Sequence, residues 1–104
     1  MGMMKAELHQ GDILKIEKIK TPVLIVSKNF FNQTGEIIGC PISKQTTKSP
    51  LHISINTITT TGYAQCEKLA LLDLNVRGYT IIDRLSIDSI MNITDAIQSI
   101  FDYI

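Results

Sequence analysis

The feature that most constrains the fold is a change in hydrophobic period near residue 86. Before it, apolar and polar residues alternate in short segments. This two-residue period is typical of a β-strand with one solvent-exposed face. Six such segments are present: ILKIEKI (13–19), VLIV (23–26), EIIGC (36–40), LHISINTI (51–58), TGYAQCEKL (61–69) and GYTIID (78–83). Short strands this close together predict a mainly β fold, a small antiparallel barrel or strongly twisted sheet.

The first two segments predict a tight hairpin with a buried inner strand. Gly11-Asp12 is typical of a turn, and after it Leu14 and Ile16 alternate with charged residues. Val23–Val26 is a continuous apolar run, which indicates a central strand buried on both faces. Pro22 stands at the beginning of that run, where a missing N–H is tolerated.

The next segments are separated by turn residues. NFFNQTGE (29–36) contains the Asn and Gly that favour a turn. LHISINTI then alternates, so one set of side chains is predicted to face inward and the other outward. The inward set is Leu51, Ile53 and Ile55, and the outward set is His52, Ser54 and Asn56.

After the change in period, the sequence predicts one C-terminal amphipathic helix. Ser86 is suited to cap it, and Asp88 lies in the first turn, where the helix dipole favours an acid. The predicted apolar row is Ile90, Ile93, Ile97, Ile100, Phe101 and Ile104. With 104 residues and no linker, the chain is predicted to be one domain, 1–104.

Composition limits the class of protein. Apolar residues make up 44% of the chain, and ten bases balance ten acids, which argues against polyanion binding through bulk charge. No signal peptide or membrane-spanning run is recognisable, so a cytoplasmic location is expected. Cys40 and Cys66 lack any metal-type spacing and predict buried free thiols rather than a disulfide or metal site.

Polar chemistry is concentrated in a few places. Seven polar residues, Ser43–Ser49, include two lysines and no acid, which is consistent with a phosphate-facing surface or with a solvated loop. His52 is predicted to be a solvated strand residue rather than a catalytic one. Asp73 directly follows an apolar segment, where an acid can act in proton transfer or simply close a turn.

Several segments in order carry a family resemblance. They are Gly11-Asp12 before a strand, PVLIVSKNFFNQTG (22–35), CPISKQ (40–45), GYAQCEKLALLDLNVRG (62–78) and SIMN (89–92). Together they resemble the MazF/PemK/Kid toxins of type II toxin–antitoxin pairs. The resemblance implies an SH3-like antiparallel barrel with a C-terminal helix, a homodimer, a cognate antitoxin protein as partner, and no cofactor or metal.

The same resemblance implies an endoribonuclease that cuts single-stranded RNA by attack of a 2′-hydroxyl on the adjacent phosphate. Such a reaction needs a proton-transfer group and donors at the phosphate. Ser43 falls on the family's phosphate-contacting Thr or Ser, and Asp73 on the acid of Kid-like members, so these are the predicted catalytic residues. The predicted RNA- and phosphate-binding residues are Lys20, Thr21, Lys44, Gln45 and Arg77.

Two positions depart from the family pattern. Thr21 precedes Pro22 where family ribonucleases have Arg-Pro, and Ala70 stands where a second family arginine lies three residues before the acid. Oxyanion-type stabilisers each contribute about 10²–10³ in rate. The departures therefore leave three hypotheses open: a weak ribonuclease, one with rearranged catalytic groups, or an inactive relative that serves as a binding module.

A different class of function is suggested by the end of the chain. NITDAIQSIFDYI (92–104) resembles the C-terminal helix of CcdB, which has the same fold and poisons DNA gyrase through its last residues. The alternative for this helix is packing against the core and a second subunit.

Overall fold

The computed structural model describes residues 7–45 and 47–102, which form seven strands and two helices. The strands are β1 (Asp12–Ile16), β2 (Val23–Ile25), β3 (Glu36–Ser43), β4 (His52–Asn56), β5 (Thr61–Gln65), β6 (Ala70–Asp73) and β7 (Tyr79–Arg84). The helices are α1 (Asn29–Asn32) and α2 (Ile87–Phe101).

The strands form one curled, antiparallel half-barrel sheet in the order β4-β5-β3-β2-β1-β7. The long strand β3 organises it, because β2 pairs along one edge while β6 and β5 share the other. Glu36 is opposite Asp73 at the beginning of β3, and Ser43 is opposite Tyr63 at its end. The predicted mainly β fold with a C-terminal helix is confirmed.

The predicted first hairpin is confirmed, with one difference in its burial. β2 lies between β1 and β3 and is buried throughout. In β1 both Ile13 and Leu14 are fully buried, although strict alternation predicted only Leu14 and Ile16 to face inward. The cause is that β1 is covered on both faces: Ile13 packs with Leu24 and Cys40 in one hydrophobic cluster, whereas Leu14 and Ile16 pack in a second cluster.

Two segments differ from the sequence predictions. TGYAQCEKL is not one strand: β5 ends at Gln65, and the amide of Lys68 donates to the Gln65 carbonyl (3.0 Å) in a turn. Ala70–Asp73 then forms β6, so the described residues contain seven strands and not six. The predicted turn NFFNQTGE contains the single-turn helix α1.

The predicted start of α2 is confirmed. Ser86 caps the helix, and its side chain accepts a hydrogen bond from the amide of Ser89 at 3.3 Å. Asp88 lies in the first turn, where it complements the helix dipole.

Only the first part of the predicted apolar row of α2 is buried. Ile93 is 1% exposed, and Ile90 and Ile97 pack partly against the same core. Ile100 and Phe101 are 41% and 71% exposed, because they lie beyond the part of the helix that covers the sheet. Residues 103 and 104, on which the gyrase hypothesis depends, lie outside the described residues.

Both cysteines are buried free thiols, as predicted. Burial raises the pKa of the Cys40 thiol to about 12 and that of Cys66 to about 11, so both are protonated at neutral pH. Across residues 7–45 and 47–102, none of the helices has the length and apolar character needed to cross a membrane.

Candidate active site

A cluster of polar side chains lies on the outer face of β3, β5 and β4. Opposite residues of antiparallel strands share a face, as do alternate residues along one strand. The register pairs His52 with Gln65, and it places Tyr63 opposite both Ser54 and Ser43. Five polar side chains therefore share one face, while the residues between them, such as Ala64 and Ile55, are buried in the core.

His52 is the centre of this cluster. Its Nε2 lies 2.8 Å from Oε2 of Glu67, and its Nδ1 lies 2.7 Å from the carbonyl oxygen of Thr47. The His52 side chain is 9% exposed and that of Glu67 is 36% exposed. The prediction of a solvated His52 is wrong, because Thr47, in the loop after β3, and Glu67, after β5, enclose the ring.

These contacts favour the charged forms of both side chains. The Thr47 carbonyl can only accept, so Nδ1 of His52 carries a hydrogen. An ionised Glu67 also only accepts, so this arrangement favours a hydrogen on Nε2 as well, which is the charged form of the ring. The hydrogen bond between the two side chains raises the pKa of His52 above 6.5 and lowers the pKa of Glu67 below 4.5, with Thr47 adding to the effect on His52.

The pair borders an open cleft of about 500 Å³, called here the histidine cleft. Its lining residues are Gln45, Thr47, His52, Gln65, Glu67 and Lys68. Tyr63, which is 37% exposed, lies beside it, together with Lys48 and Ser49. The cleft thus offers a carboxylate, cations and amides at one place, and an aromatic ring at its side.

One of the predicted site residues lines this cleft, and a second lies on the same face of the sheet. Gln45 lines it, and Ser43 lies on the same outer face. The Ser43 hydroxyl donates to the Gln45 carbonyl oxygen at 2.6 Å and accepts from the Gln45 amide at 3.3 Å. Ser43 therefore fixes the turn that begins the loop Ser43–Ser49, and part of this acid-free loop folds back against His52.

The structure does not bring Asp73 to the cleft. Asp73 pairs with Glu36 at the opposite end of β3 from Ser43, about 23 Å away for seven steps along a strand. Its Oδ1 accepts a hydrogen bond from the amide of Asn75 at 2.9 Å, as in a turn. The assignment of Asp73 as an acid or base stays a prediction.

The predicted lysines lie in a second cleft, of about 210 Å³, called here the lysine cleft. Lys15, Lys20, Lys44 and the hairpin residues 59–61 line it. Thr21 lies between Lys20 and Pro22, which also lines this cleft. Arg77 lines neither cleft: it lies in the β6–β7 connection, next to Gly78, whose carbonyl accepts from the amide of Glu17.

The interaction of His52 with Glu67 was not predicted from the sequence. The outward position of His52 in β4 was a signal, since the register with β5 then places it beside Gln65 and near Glu67. In the described part of the chain, no group of three His, Cys, Asp or Glu side chains is arranged to hold a metal ion.

The half-barrel with a C-terminal helix is the fold of the MazF toxins. A chain of the MazE–MazF complex from Deinococcus radiodurans has a TM-score of 0.85 and 16% identity, covering 93% of this chain and 98% of that chain. An endoribonuclease in complex with its cognate antitoxin from a mycobacterial species gives 0.79 and 17%, covering 90% and 94%. The Mycobacterium tuberculosis toxin MazF-mt6 gives 0.73 and 17%, covering 88% and 99%.

The sequence identifies the family. Residues 7–101 match the model of the PemK-like, MazF-like toxin of type II toxin–antitoxin systems. Because the match spans most of the chain, the protein belongs to this toxin family, as its sequence segments predicted. A comparison with functionally curated proteins gave no match.

Proposed function

We propose that the protein is the toxin of a type II toxin–antitoxin system and acts as an endoribonuclease on single-stranded RNA. The observation that carries the proposal is the hydrogen-bonded pair of His52 and Glu67 at an open cleft. Family membership and the endoribonuclease among the similar structures support the same reaction class.

In the proposed mechanism, Glu67 is the general base. Its Oε2 is bound to His52, so Oε1 is the oxygen that accepts the proton of the RNA 2′-hydroxyl. The 2′-oxygen forms a bond to phosphorus while the bond from phosphorus to the 5′-oxygen breaks. Water protonates the leaving 5′-oxygen, and the hydroxide formed takes the proton from Glu67. The products are a 2′,3′-cyclic phosphate and a 5′-hydroxyl.

His52 supports this step in two ways. Its imidazolium holds the Glu67 carboxylate ionised and in one orientation, so that the base is available at neutral pH. The same positive charge, in a largely enclosed position, favours the extra negative charge that develops on the phosphate. Tyr63 offers a face on which a nucleobase beside the cleaved bond can stack.

The proposal is tested with purified protein and a labelled single-stranded RNA. We expect cleavage that leaves a 2′,3′-cyclic phosphate and a 5′-hydroxyl, and none of a DNA strand of the same sequence, since DNA lacks the attacking hydroxyl. Cleavage of the DNA strand, or RNA products with 5′-phosphate ends, would contradict the mechanism.

The gyrase hypothesis and the inactive-module hypothesis are separated by expression in cells. An endoribonuclease stops translation and degrades transcripts. A gyrase poison instead causes DNA breaks and an SOS response, and loses activity when residues 103–104 are removed. An inactive module produces neither response.

We further propose a cytoplasmic homodimer that a cognate antitoxin neutralises. Exposed apolar side chains on α2, namely Ile87, Met91 and Phe101, support burial against a partner subunit. Light scattering at micromolar concentration is expected to give twice the 11.6 kDa chain mass. A mass of one chain would contradict the dimer.

A further inference from the structure

The two cysteines of the chain lie together in the core and take no part in the proposed reaction. Cys40 belongs to β3, and Cys66 directly follows the last residue of β5. They are 1% and 0% exposed and belong to one hydrophobic cluster, which also contains Ile42 and Ala64. The sequence contains no further cysteine, so a disulfide within the chain joins these two.

The strand register places the two thiols opposite each other. Ile42 of β3 is opposite Ala64 of the antiparallel strand β5. The same register, continued for two positions, brings Cys40 opposite Cys66. The amide of Cys66 donates to the Leu51 carbonyl oxygen at 2.9 Å, which extends the β4–β5 ladder by one position and keeps Cys66 in line with β5. Since alternate residues share a face, both thiols lie on the same side as the Ile42 and Ala64 side chains.

This arrangement is close to the geometry that a disulfide needs. Opposite residues of an antiparallel pair have Cβ atoms about 4.5–5.5 Å apart, and a disulfide joins Cβ atoms about 3.5–4.5 Å apart. A movement of about 1 Å therefore closes the bond. The pKa of the Cys40 thiol agrees with a short separation: burial is the main cause of its increase, and the charge of a Cys66 thiolate is the next.

Reaction of the thiols requires local opening of the sheet. Burial raises the pKa of both, and a protonated thiol is a poor nucleophile, so the closed structure protects them. The β3–β5 junction beside them is paired only at Ile42 and Ser43. A junction with so few backbone pairs opens at a lower free energy than the whole domain. In the open form, Cys40 and Cys66 contact solvent and a larger fraction of each is thiolate.

Cys66 also adjoins the candidate active site. It precedes Glu67, the proposed general base, and the Glu67 carboxylate adds to burial in raising the pKa of both thiols. The turn that follows is closed by a hydrogen bond from the Lys68 amide to the Gln65 carbonyl oxygen at 3.0 Å. A displacement of Cys66 towards β3 therefore also moves Glu67, whose Oε2 lies 2.8 Å from Nε2 of His52.

We propose that Cys40 and Cys66 form an oxidation site, at which hydrogen peroxide generates a disulfide that ties β3 to the β4–β5 hairpin and lowers the activity of the candidate site. One thiolate attacks the peroxide, the O–O bond breaks, and a sulfenic acid and water form. The second thiolate attacks the sulfenic sulfur, the S–S bond forms, the S–O bond breaks, and a second water leaves. The thiols thus supply the electrons and protons that reduce the peroxide to water.

Formation of the disulfide is tested on the purified protein with hydrogen peroxide, and free thiols are counted by alkylation and mass spectrometry. We expect a crosslink within one chain, with the mass reduced by two hydrogen atoms, and dithiothreitol should restore both thiols. Cys40→Ala and Cys66→Ala, which keep one thiol each, are the matched controls and form no such crosslink. Oxidation of the exposed Met91 adds oxygen and is not reversed by dithiothreitol, so the two reactions are distinguished.

A second experiment tests the geometry without relying on local opening. The chain is oxidised while unfolded in urea at low protein concentration and is then refolded. We expect the crosslinked chain to regain the native fold, with a melting temperature about 10 °C or more above that of the reduced chain. Thiols that stay free in excess peroxide, an oxidised chain that does not refold, or crosslinks only between chains would each overturn the inference.

The effect on the candidate site is measured as RNA cleavage by the reduced and the oxidised protein, and this part of the inference rests on the proposed ribonuclease function. A misplacement of about 1 Å in an active site can lower the rate about 10²-fold. We therefore expect oxidation to lower kcat/KM by about tenfold to 10²-fold, and dithiothreitol to restore it. The double variant Cys40→Ala/Cys66→Ala should keep its activity through the same peroxide treatment. Equal activity of the reduced and the crosslinked wild type would overturn the effect on the site.

The outcomes also separate this inference from the proposed function. If the disulfide forms reversibly but neither state of the protein cleaves RNA, the oxidation site stands and the ribonuclease proposal fails. If Glu67→Gln abolishes cleavage while the wild-type thiols form no crosslink, the ribonuclease proposal stands and the oxidation site fails.

Discussion

Gly62 passes so close to the backbone of Ser43 that a Cβ atom at position 62 would lie 2.7 Å from the Ser43 carbonyl oxygen. Gly62 is buried in β5, and the strand it approaches ends at the candidate site. We therefore expect Gly62→Ala to displace the end of β3. The free energy of unfolding should fall by about 1–3 kcal/mol, as for other overpacked sites, and cleavage should fall with it. Urea unfolding measures the first effect, and Thr80→Ala, an exposed change on β7 that lines neither cleft, is the control.

Two acids compete for the role of base, and one pair of variants decides between them. Since Glu67 lies in the cleft with His52, Glu67→Gln is expected to lower kcat by about 10² or more, the usual scale of general acid–base help. Asp73→Asn is expected to have a much smaller effect, because Asp73 lies at the far end of β3. Single-turnover cleavage of RNA makes the comparison. The reverse order of losses would establish Asp73 as the acid or base.

The pair of His52 and Glu67 also predicts a pH dependence of stability. Because the pKa of His52 is raised in the folded state, protonated His52 stabilises the fold below pH 6.5. This stabilisation is lost as the pH rises through the folded-state pKa. Because the pKa of Glu67 is lowered in the folded state, its carboxylate stabilises the fold above pH 4.5. This stabilisation is lost as the pH falls through the folded-state pKa. The difference in free energy of unfolding between the wild type and the double variant His52→Gln/Glu67→Gln should therefore be largest between pH 4.5 and 6.5. Urea midpoints across this range measure the difference, and a constant difference at every pH would count against the ion pair.

NMR titration of His52 examines the same pair directly. The hydrogen bond that the Glu67 carboxylate accepts from His52 is the largest cause of the raised pKa of His52. In Glu67→Gln, the measured pKa of His52 should consequently move down towards 6.5. An unchanged pKa would mean that the two side chains do not interact in solution.

Ser43→Ala is expected to lower kcat/KM about tenfold. The hydroxyl makes two hydrogen bonds that fix the turn with Gln45, and one neutral hydrogen bond contributes about 1 kcal/mol. Ser43→Thr keeps the hydroxyl and should retain most of the activity. If both variants lose activity equally, the hydroxyl is not the group that matters.

The sequence alone predicted the helices and strands that are specified by local residue patterns. The cap at Ser86 and the helical period fixed the start of α2, and the apolar run at Val23–Val26 marked the central strand. The break between β5 and β6 was missed because residues 66–69 carry no Gly or Pro, and the turn there depends on pairing with neighbouring strands.

The candidate site depended on register, and local pattern could not supply it. His52 and Glu67 are fifteen positions apart and meet only because β4 and β5 pair with His52 opposite Gln65. The acid-free segment Ser43–Ser49 was singled out for its composition, but its contact with His52 is made by the backbone carbonyl of Thr47, which a residue pattern does not predict. Asp73 stood out in the sequence for its local context, which the structure accounts for by a turn.

The way the β4–β5 hairpin is attached to the sheet has a dynamic consequence. Only Ile42 and Ser43 of β3 pair with β5, whereas β4 and β5 pair with each other at five positions. The hairpin is thus tied more strongly within itself than to the rest of the sheet. We expect local opening to begin at its junction with β3, with the His52–Gln65 register kept intact. Hydrogen exchange should show this as amides of the β3–β5 junction that exchange before those between β4 and β5, and a bound RNA strand that touches both sides should slow them.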